Sequence, residues 1–588
     1  MSAEQKHIIR RQVFDLKLPK QEGAFQLQEE VKELFYEQIS PMLEKLFSEI
    51  APADKVLSID NLTLDLGKIP LAQLQESLLK RIETEFRERV KTEVGGRLSV
   101  AKRSREKDRD DAFLEREKSR SNWEVFLYFL AMGNMPWNST LGSISALEKE
   151  IQVFLEDKNV FPEQLKTELA RHLAEKKILI RLVSQFSNHF LATVMDRLLG
   201  KEINELRSLY LLVEKQAEDF GLGRREQQEL RQVYWFVSLE KAVRQPSVKS
   251  IELIKSALEA VVLYFSNITQ KNKQAVCEEL DKQLLILQKS KSISNLPVAS
   301  SRKVLEELKK EWAKREGKGS EVKGNPIQHL TEKKPFQKDK EDQVKSSGKG
   351  ISQKKSGNPT QNEDSFKSTN PSFSLDKTAG KSEKKALGGL ADKTRENDLS
   401  AKAKEEKAEK SKDQFQHRVL QNEQEGVYIK NAGLVLLAPF IPTLFGKLGF
   451  VSEKAISHKD KAVHLLQYLV SGASQTDESE LTLNKLLCGI SLSEPIAQEA
   501  FFHPEELAEA DGMLEAVIEH WKALKGTSIQ GLQETFLQRD GKLSRTADKK
   551  WLLQVEQKAY DILLAQLPWG YSMVKLSWME DVLTVEWA

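Results

Sequence analysis

The sequence predicts a mainly α-helical chain with a small α+β N-terminal domain and an all-helical middle. A long disordered linker and an α-rich C-terminal domain ending in a β-hairpin complete it. Three observations predict this. Apolar residues recur at the 3.6-residue period through most of the chain and at period two only near its two ends. A long stretch before the last domain has almost no aromatic side chains. The length of 588 residues exceeds one ordinary domain, and roughly three or four are expected. Pattern and composition place a small βαβα domain at 1–100, a charged bridge at 101–121 and a helical domain at 122–317. A disordered charged linker follows at 318–416 and the C-terminal domain at 417–588.

At the N-terminus, "IIRRQVFDLKL" (Ile8–Leu18) is extended in character, with Phe14, Leu16 and Leu18 on one face. Ala24–Ile50 carries a helical stripe of Leu27, Val31, Leu34, Phe35, Ile39, Leu43 and Phe47. Pro41 should bend or split that helix, since it lacks an N–H and crowds the carbonyl four residues back. "VLSIDNLTLDLGKIP" (Val56–Pro70) reads as a second strand with Leu62, Leu64 and Leu66 on one face. Leu71–Val94 reads as a second amphipathic helix. The bridge Ala101–Ser121 mixes both signs of charge and reads as a solvated helix or linker. A nucleic-acid tract is disfavoured because its acids cancel its bases.

The middle opens on the apolar "NWEVFLYFLAMGNMPW" (Asn122–Trp137), which ends in a Gly-Asn-Met-Pro stop. Helical patterns then run to about Arg315, as in Ile178–Gly200, Asn204–Gly221 and Gln227–Val243. Gly200, Gly221 and Gly223 read as punctuation at helix ends. No repeat of fixed period is evident.

Glu321–Lys412 is different in kind, with 21 Lys/Arg and 15 Asp/Glu in 92 residues and Phe336, Phe366 and Phe373 as its aromatics. Such a segment cannot bury enough apolar surface to offset its chain entropy, so disorder is expected. Its local charge of +6 permits weak contact with an acidic surface, but a solvated tether is the simpler reading.

The last domain carries five of the nine tryptophans. Ala462–Gly472, Leu481–Ile490, Glu506–Trp521 and Trp551–Gly570 read as helices. The end alternates at period two on both sides of Met579–Asp581. Val574, Leu576 and Trp578 face one way, and Leu583, Val585 and Trp587 share a face after the turn. The domain opens on "GLVLLAPFIPTLFGKLGF" (Gly433–Phe450), the greasiest run in the chain. Pro439, Pro442 and Lys447 argue against a membrane span, which needs ~20 apolar residues. Buried core is the reading, with a partner-binding groove as the alternative.

Composition bounds the function. Net charge is +2 from 90 basic and 88 acidic side chains, which provides no global pull toward nucleic acid or an anionic membrane. Two cysteines, Cys277 and Cys488, make no disulfide framework, and a reducing compartment is expected. The first residues lack an apolar core of signal-peptide length. Gly541-Lys542 is followed by Leu543, and Phe536 stands where a phosphate loop needs glycine. The nine histidines show no metal-binding spacing: His458 and His464 are six apart, and His503 and His520 read as lying on separate elements. His464 reads as a satisfied helix-face histidine and Cys488 as a small buried hydrophobe beside Gly489. Asp60 and Asp65 read as outward positions or turn formers on opposite faces of a strand. The C-terminal tryptophans read as a core or interface set. No catalytic, cofactor-binding or metal-binding residue and no cofactor is assigned.

Two sets of segments carry a family resemblance. "HIIRRQVFDLKLP", "ISPMLEKLFSEIAP", "LSIDNLTLDLGKIP" and "NWEVFLYFLAMGNMPW" form the first. "NAGLVLLAPFIPTLFGKLGFV", "KAVHLLQYLVSG", "LNKLLCGI", "HWKALKGTSIQGLQETFLQRDGKLS", "WLLQVEQKAYDILLAQLPWGYSMVKLSWM" and "VEW" form the second and more specific one. Together they cover about half of the chain, and the chain resembles the tape measure protein family of bacterial contractile injection systems, the phage-tail-like particles. The resemblance implies a non-enzymatic structural and assembly protein that helps set tail length. Its implied partners are tube, baseplate or cap subunits, with no small-molecule substrate, specific nucleic acid or transmembrane segment, and with room for a homo-oligomer. It implies the bacterial cytoplasm during assembly and the interior of the particle afterwards. Lys318–Gln416 inherits no function from it.

A ruler must span a long distance. A fully helical chain of 588 residues would reach ~880 Å. The 92-residue tether reaches at most ~330 Å extended but only ~50–60 Å relaxed. Two folded ends joined by a relaxed middle also describe an assembly chaperone or adaptor, which is the rival reading. An enzyme is the third, with no site to nominate.

Overall fold

A computed structural model describes residues 7–9, 12–18, 23–50, 55–59, 61–100, 113–157, 163–201, 203–290, 296–316, 426–452, 455–546 and 548–587. The protein is mainly helical, with a small N-terminal β element and a strand-containing C-terminal part. The stretch expected to be disordered, 318–416, lies outside the described residues, as do 101–112 of the charged bridge.

The stripe on Ala24–Ile50 does build a helix, but Pro41 neither breaks nor splits it. Helix Ala24–Leu34 widens into a π turn at Phe35–Ile39 and continues as helix Ser40–Ile50. The Ser40 N–H reaches back five residues to the Phe35 carbonyl. The wider turn accommodates the missing proline donor and its crowded ring. A 3₁₀ turn at Leu71–Gln73 leads into helix Leu74–Val100. Leu34, Ile39, Leu43 and Leu46 of the first pair bury against Leu78, Ile82 and Phe86 of the second. Phe47 meets Phe86 edge-on at 5.0 Å.

The strands differ from expectation. Residues 12–18 form no regular secondary structure; Phe14 and Leu18 lean on the helices while Leu16 is exposed. In Val56–Pro70 the alternation holds but the strand is short. Strand β1 is Lys55–Ile59, whereas Leu62, Leu64 and Leu66 are irregular in backbone and half-buried against the helical core. The partner of β1 is β2, Phe113–Glu117, which pairs with it antiparallel from within the bridge read as linker. Backbone pairing is hard to see in so charged a segment, because the ladder uses N–H and C=O groups that every residue has.

From Lys118 to Glu316 the described residues outside the turns are helical, as expected. The predicted helix Ile178–Gly200 is two: Lys176–Gln185 and Asn188–Leu199. Ser187 caps the second, its Oγ accepting from the Phe190 N–H at 3.2 Å. Gly200 and Gly221 end helices at φ of 67° and 68°, and Gly223 precedes helix Arg224–Arg244, so the glycine punctuation holds.

The C-terminal part surrounds a five-stranded mixed sheet in the order β3-β6-β7-β9-β8. Its strands are β3 Val427–Ile429, β6 Gly541–Arg545, β7 Trp551–Val555, β8 Met573–Val574 and β9 Leu583–Glu586; β4 Val451–Ser452 and β5 Ala455–Ile456 form a separate small pair. The run Trp551–Gly570, read as one helix, is strand β7 followed by a 3₁₀ helix at Ala559–Gln566. Trp551, Leu553 and Val555 alternate inward, a period-two signal masked by the neighbouring apolar Leu552. The terminal hairpin exists but is short, with Val574 opposite Leu583. Leu576 and Trp578 are buried in the loop between its arms. β9 also pairs in parallel with β7, Trp551 opposite Leu583.

Helices Lys459–Ser471, Thr482–Leu487 and Pro504–His520 match the patterns read for them. Gly433–Phe450 is core, as expected: a 3₁₀ helix at Ala432–Leu437 and a helix at Ile441–Lys447. Pro442 sits in the first turn of that helix, where no donor is lost. Gly433 permits the packing, since a Cβ there would lie 1.7 Å from the Phe536 carbonyl oxygen. Among the described residues, no helix is long and apolar enough to cross a membrane.

Candidate functional site: a buried ion cluster

Three charged side chains meet where the helical segment touches the C-terminal part. Arg181 lies on helix Lys176–Gln185, Glu478 on a 3₁₀ turn at Glu478–Glu480, and Lys485 on helix Thr482–Leu487. All three are essentially inaccessible to solvent. Arg181 Nε donates to both Glu478 carboxylate oxygens at 3.1 Å, and Lys485 Nζ donates to Oε1 at 2.5 Å.

Two cations around one anion leave a positive surplus, which main-chain carbonyls offset. Arg181 Nη1 donates to the carbonyls of Leu130 and Ala131, at the C-terminal end of helix Lys118–Met132 where the helix dipole is negative. Its Nη2 donates to the Ser493 carbonyl at 2.8 Å, and Lys485 Nζ donates to that of Leu492 at 3.1 Å. Burial pulls the Lys485 ammonium below its ordinary pKa, against the pull of Glu478 in the other direction.

The surroundings are shaped to this cluster. Gly133 turns the chain at φ 79°, and a Cβ there would stand 2.6 Å from Glu478 Oε1 and 3.0 Å from Arg181 Nη2. The glycine within "AMGNMPW" is therefore also the wall of the charge site. Asp477 Oδ2 accepts from the Ile144 N–H at 3.1 Å, capping the N-terminus of helix Ile144–Glu156 from across the junction. Gln185 Nε2 donates to the Ile496 carbonyl at 2.8 Å. Lys177 pairs with Glu494 at 3.3 Å and Arg224 with Glu499 at 3.1 Å.

Sequence reasoning missed this cluster. Arg181 and Lys485 are charges inside apolar runs, "ILIRLV" and "LNKLLC", and that misfit is a signal. Glu478 stands among polar residues in "TDESE" and carries no comparable mark.

The residues weighed for chemistry lie elsewhere and do not converge. His464 is buried, its Nε2 2.7 Å from the Ala497 carbonyl oxygen, consistent with its reading as a satisfied helix histidine on that side. Cys488 is buried and its thiol is pushed up by desolvation, as for a small hydrophobe. Cys277 is likewise buried, its thiol pushed up to about 12 by burial. His503 and His520 share one element, contrary to expectation: His503 caps helix Pro504–His520 and His520 ends it, ~25 Å away. Asp60 lies outside the described residues, and Asp65 forms a turn, accepting from the Gly67 N–H at 3.0 Å. Gly541 and Lys542 lie on β6. The C-terminal tryptophans are core: the Trp521 and Trp578 indoles donate to the carbonyls of Leu563 and Leu487, at 3.3 and 2.8 Å. Among the described residues, no group of His, Cys, Asp and Glu is placed to hold a metal ion.

In the cluster, paired charges hold distant parts of one chain to each other. The chain belongs to the contractile injection system tape measure protein family, whose family model matches residues 6–587. That match encloses the helical middle and 318–416 as well as the two ends that carry the resemblance. Comparison with curated proteins and with solved structures returns no match.

Proposed function

We propose that this chain is a non-enzymatic structural and assembly protein of a contractile injection system, and that it serves its family's tail-length role as a folded, clasped body. Membership of the tape measure family supports the structural role. The clasped form rests on one observation: Arg181, before the stretch 317–425, is bound to Glu478, after it. While this clasp holds, the stretch begins and ends on one body and cannot act as a spacer holding the two halves apart. The partners on this reading are tube, baseplate or cap subunits, met in the bacterial cytoplasm during assembly and retained in the particle. The divisions at 1–100, 101–121, 122–317, 318–416 and 417–588 are proposed as its working parts, with β2 tying the bridge back to the first.

The test is a graded series of deletions within Glu321–Lys412 in the particle-producing strain. Sheath length is measured in electron micrographs, and the chain is sought in purified particles by mass spectrometry. A clasped assembly protein leaves sheath length unchanged and stays with the particle. Sheaths that shorten in proportion to the deletion would establish the extended ruler instead. Absence from purified particles would establish the chaperone or adaptor.

A further inference from the structure

We propose that the two faces of the clasp are also the surface by which one copy of this chain joins another: the basic face of one copy's helical segment receives the acidic face, Asp477 to Glu499, of a second. Three observations carry this.

First, the two sides have separate interiors. The C-terminal core and the apolar residues packed against it all lie between Val427 and Trp587. Polar contacts cross the junction: Arg181 to Glu478 and to the Ser493 carbonyl, Gln185 to the Ile496 carbonyl, and Ile144 to Asp477. Faces joined in this way resemble an exchangeable interface between domains more than a shared core.

Second, the charges are sorted. The helical side contributes Lys177, Arg181 and Arg224. The other side contributes Asp477, Glu478, Glu494 and Glu499, with Lys459 and Lys485 paired to acids of their own side. Such faces attract their complement and repel their own kind. A second copy supplies that complement with matching hydrogen bonds.

Third, the covalent connection between the faces is the long stretch 317–425, most of it the charged sequence Glu321–Lys412. A relaxed chain of this length would span ~50–60 Å and would present one face to the other at an effective concentration of millimolar order. The clasp closes within one chain when copies are dilute. Exchange between chains competes when copies are crowded to that level, as in a growing assembly. Mutual exchange closes a dimer, while one-way exchange builds an open head-to-tail series, because the two faces differ.

The test uses full-length chains with two different tags. Arg181→Met removes the basic partner and keeps the acidic face; Glu478→Gln does the reverse. Each variant alone should remain a monomer by gel filtration with light scattering. Co-expressed, they should yield a two-chain species holding both tags, because one intact pair of faces survives between them. Copies carrying both substitutions should associate more weakly, by on the order of 10²–10³-fold. Circular dichroism establishes that the variants are folded. Independently of any variant, isotope-labelled and unlabelled wild-type chains are mixed near ~1 mM, and native mass spectrometry should show mixed pairs that fall away on dilution and with added salt. The proposal is overturned if the wild type stays monomeric at that concentration. It is equally overturned if doubly substituted copies pair as well as the complementary ones.

Discussion

Glu478 is the single carboxylate between two buried cations, accepting from both Arg181 and Lys485 and enclosed from solvent. Replacing it with Gln leaves Arg181 and Lys485 facing each other without a counter-charge, and the expected loss is about 3–5 kcal/mol of unfolding free energy. Lys485→Met removes the surplus cation and should cost clearly less than Glu478→Gln. The ranking is read from denaturant midpoints of the full-length protein, and the reverse order would show that the carbonyls, not Glu478, hold the cluster. Gly133→Ala should be destabilising by about 1–3 kcal/mol in the same assay. Its Cβ would enter the Glu478 carboxylate, and its backbone is in the left-handed region. From the sequence, the two cations were visible as charges in apolar runs. The acid and the glycine became meaningful only once their neighbours were known.

At the scale of elements, helix Glu163–Leu173 carries a pH-sensitive position. Burial, with a smaller push from Arg171, lowers the His172 pKa from 6.5 to about 4. The unfolded chain therefore binds more protons than the folded one between those values. Stability from this group is complete above pH ~6.5 and is lost as pH falls toward ~4. The partly exposed ring tempers the size to about 1–3 kcal/mol. Thermal midpoints of wild type should drop between pH 7.5 and 4.5 more steeply than those of His172→Gln; parallel curves would remove His172 from the account.

A second element-scale staple holds the chain end. Arg539 donates to both oxygens of Asp561 at 2.7 and 2.8 Å, and the Trp587 indole donates to Asp561 at 3.1 Å. The guanidinium also lies 5.2 Å from the ring centres of Tyr560 and Trp587. Trp587→Ala should cost about 3–5 kcal/mol, measured by urea unfolding, through the lost burial and the loosened Arg539. The elements around this staple were only half legible. The inward alternation of Trp551, Leu553 and Val555 is present in the sequence, but the apolar residue between the first two makes helix and strand equally good fits.

At the scale of the whole molecule, the clasp joins side chains nearly three hundred residues apart in sequence. Protease cuts within Glu321–Lys412 should therefore leave the two products travelling together on gel filtration. The same cuts in Arg181→Met should release them. Separation of the cut wild-type products would show that the clasp cannot hold without the connection. This also separates the clasp from the tail-length role, because it is read on purified protein and not on particles.

The sequence by itself determined the helices of the middle, the core placed at Gly433–Phe450, the inward set Leu62, Leu64 and Leu66, and the resemblance that the family match bears out. These are local properties: the period of apolar residues is written in a few successive turns and needs no knowledge of a partner. Tertiary structure decided the pairing of β1 with β2, the insertion of β7 beside β9, the π turn before Pro41 and the union of Arg181, Glu478 and Lys485. Backbone pairing and charge compensation depend on which distant groups come together in a space that excludes water. That space exists only after the chain has folded.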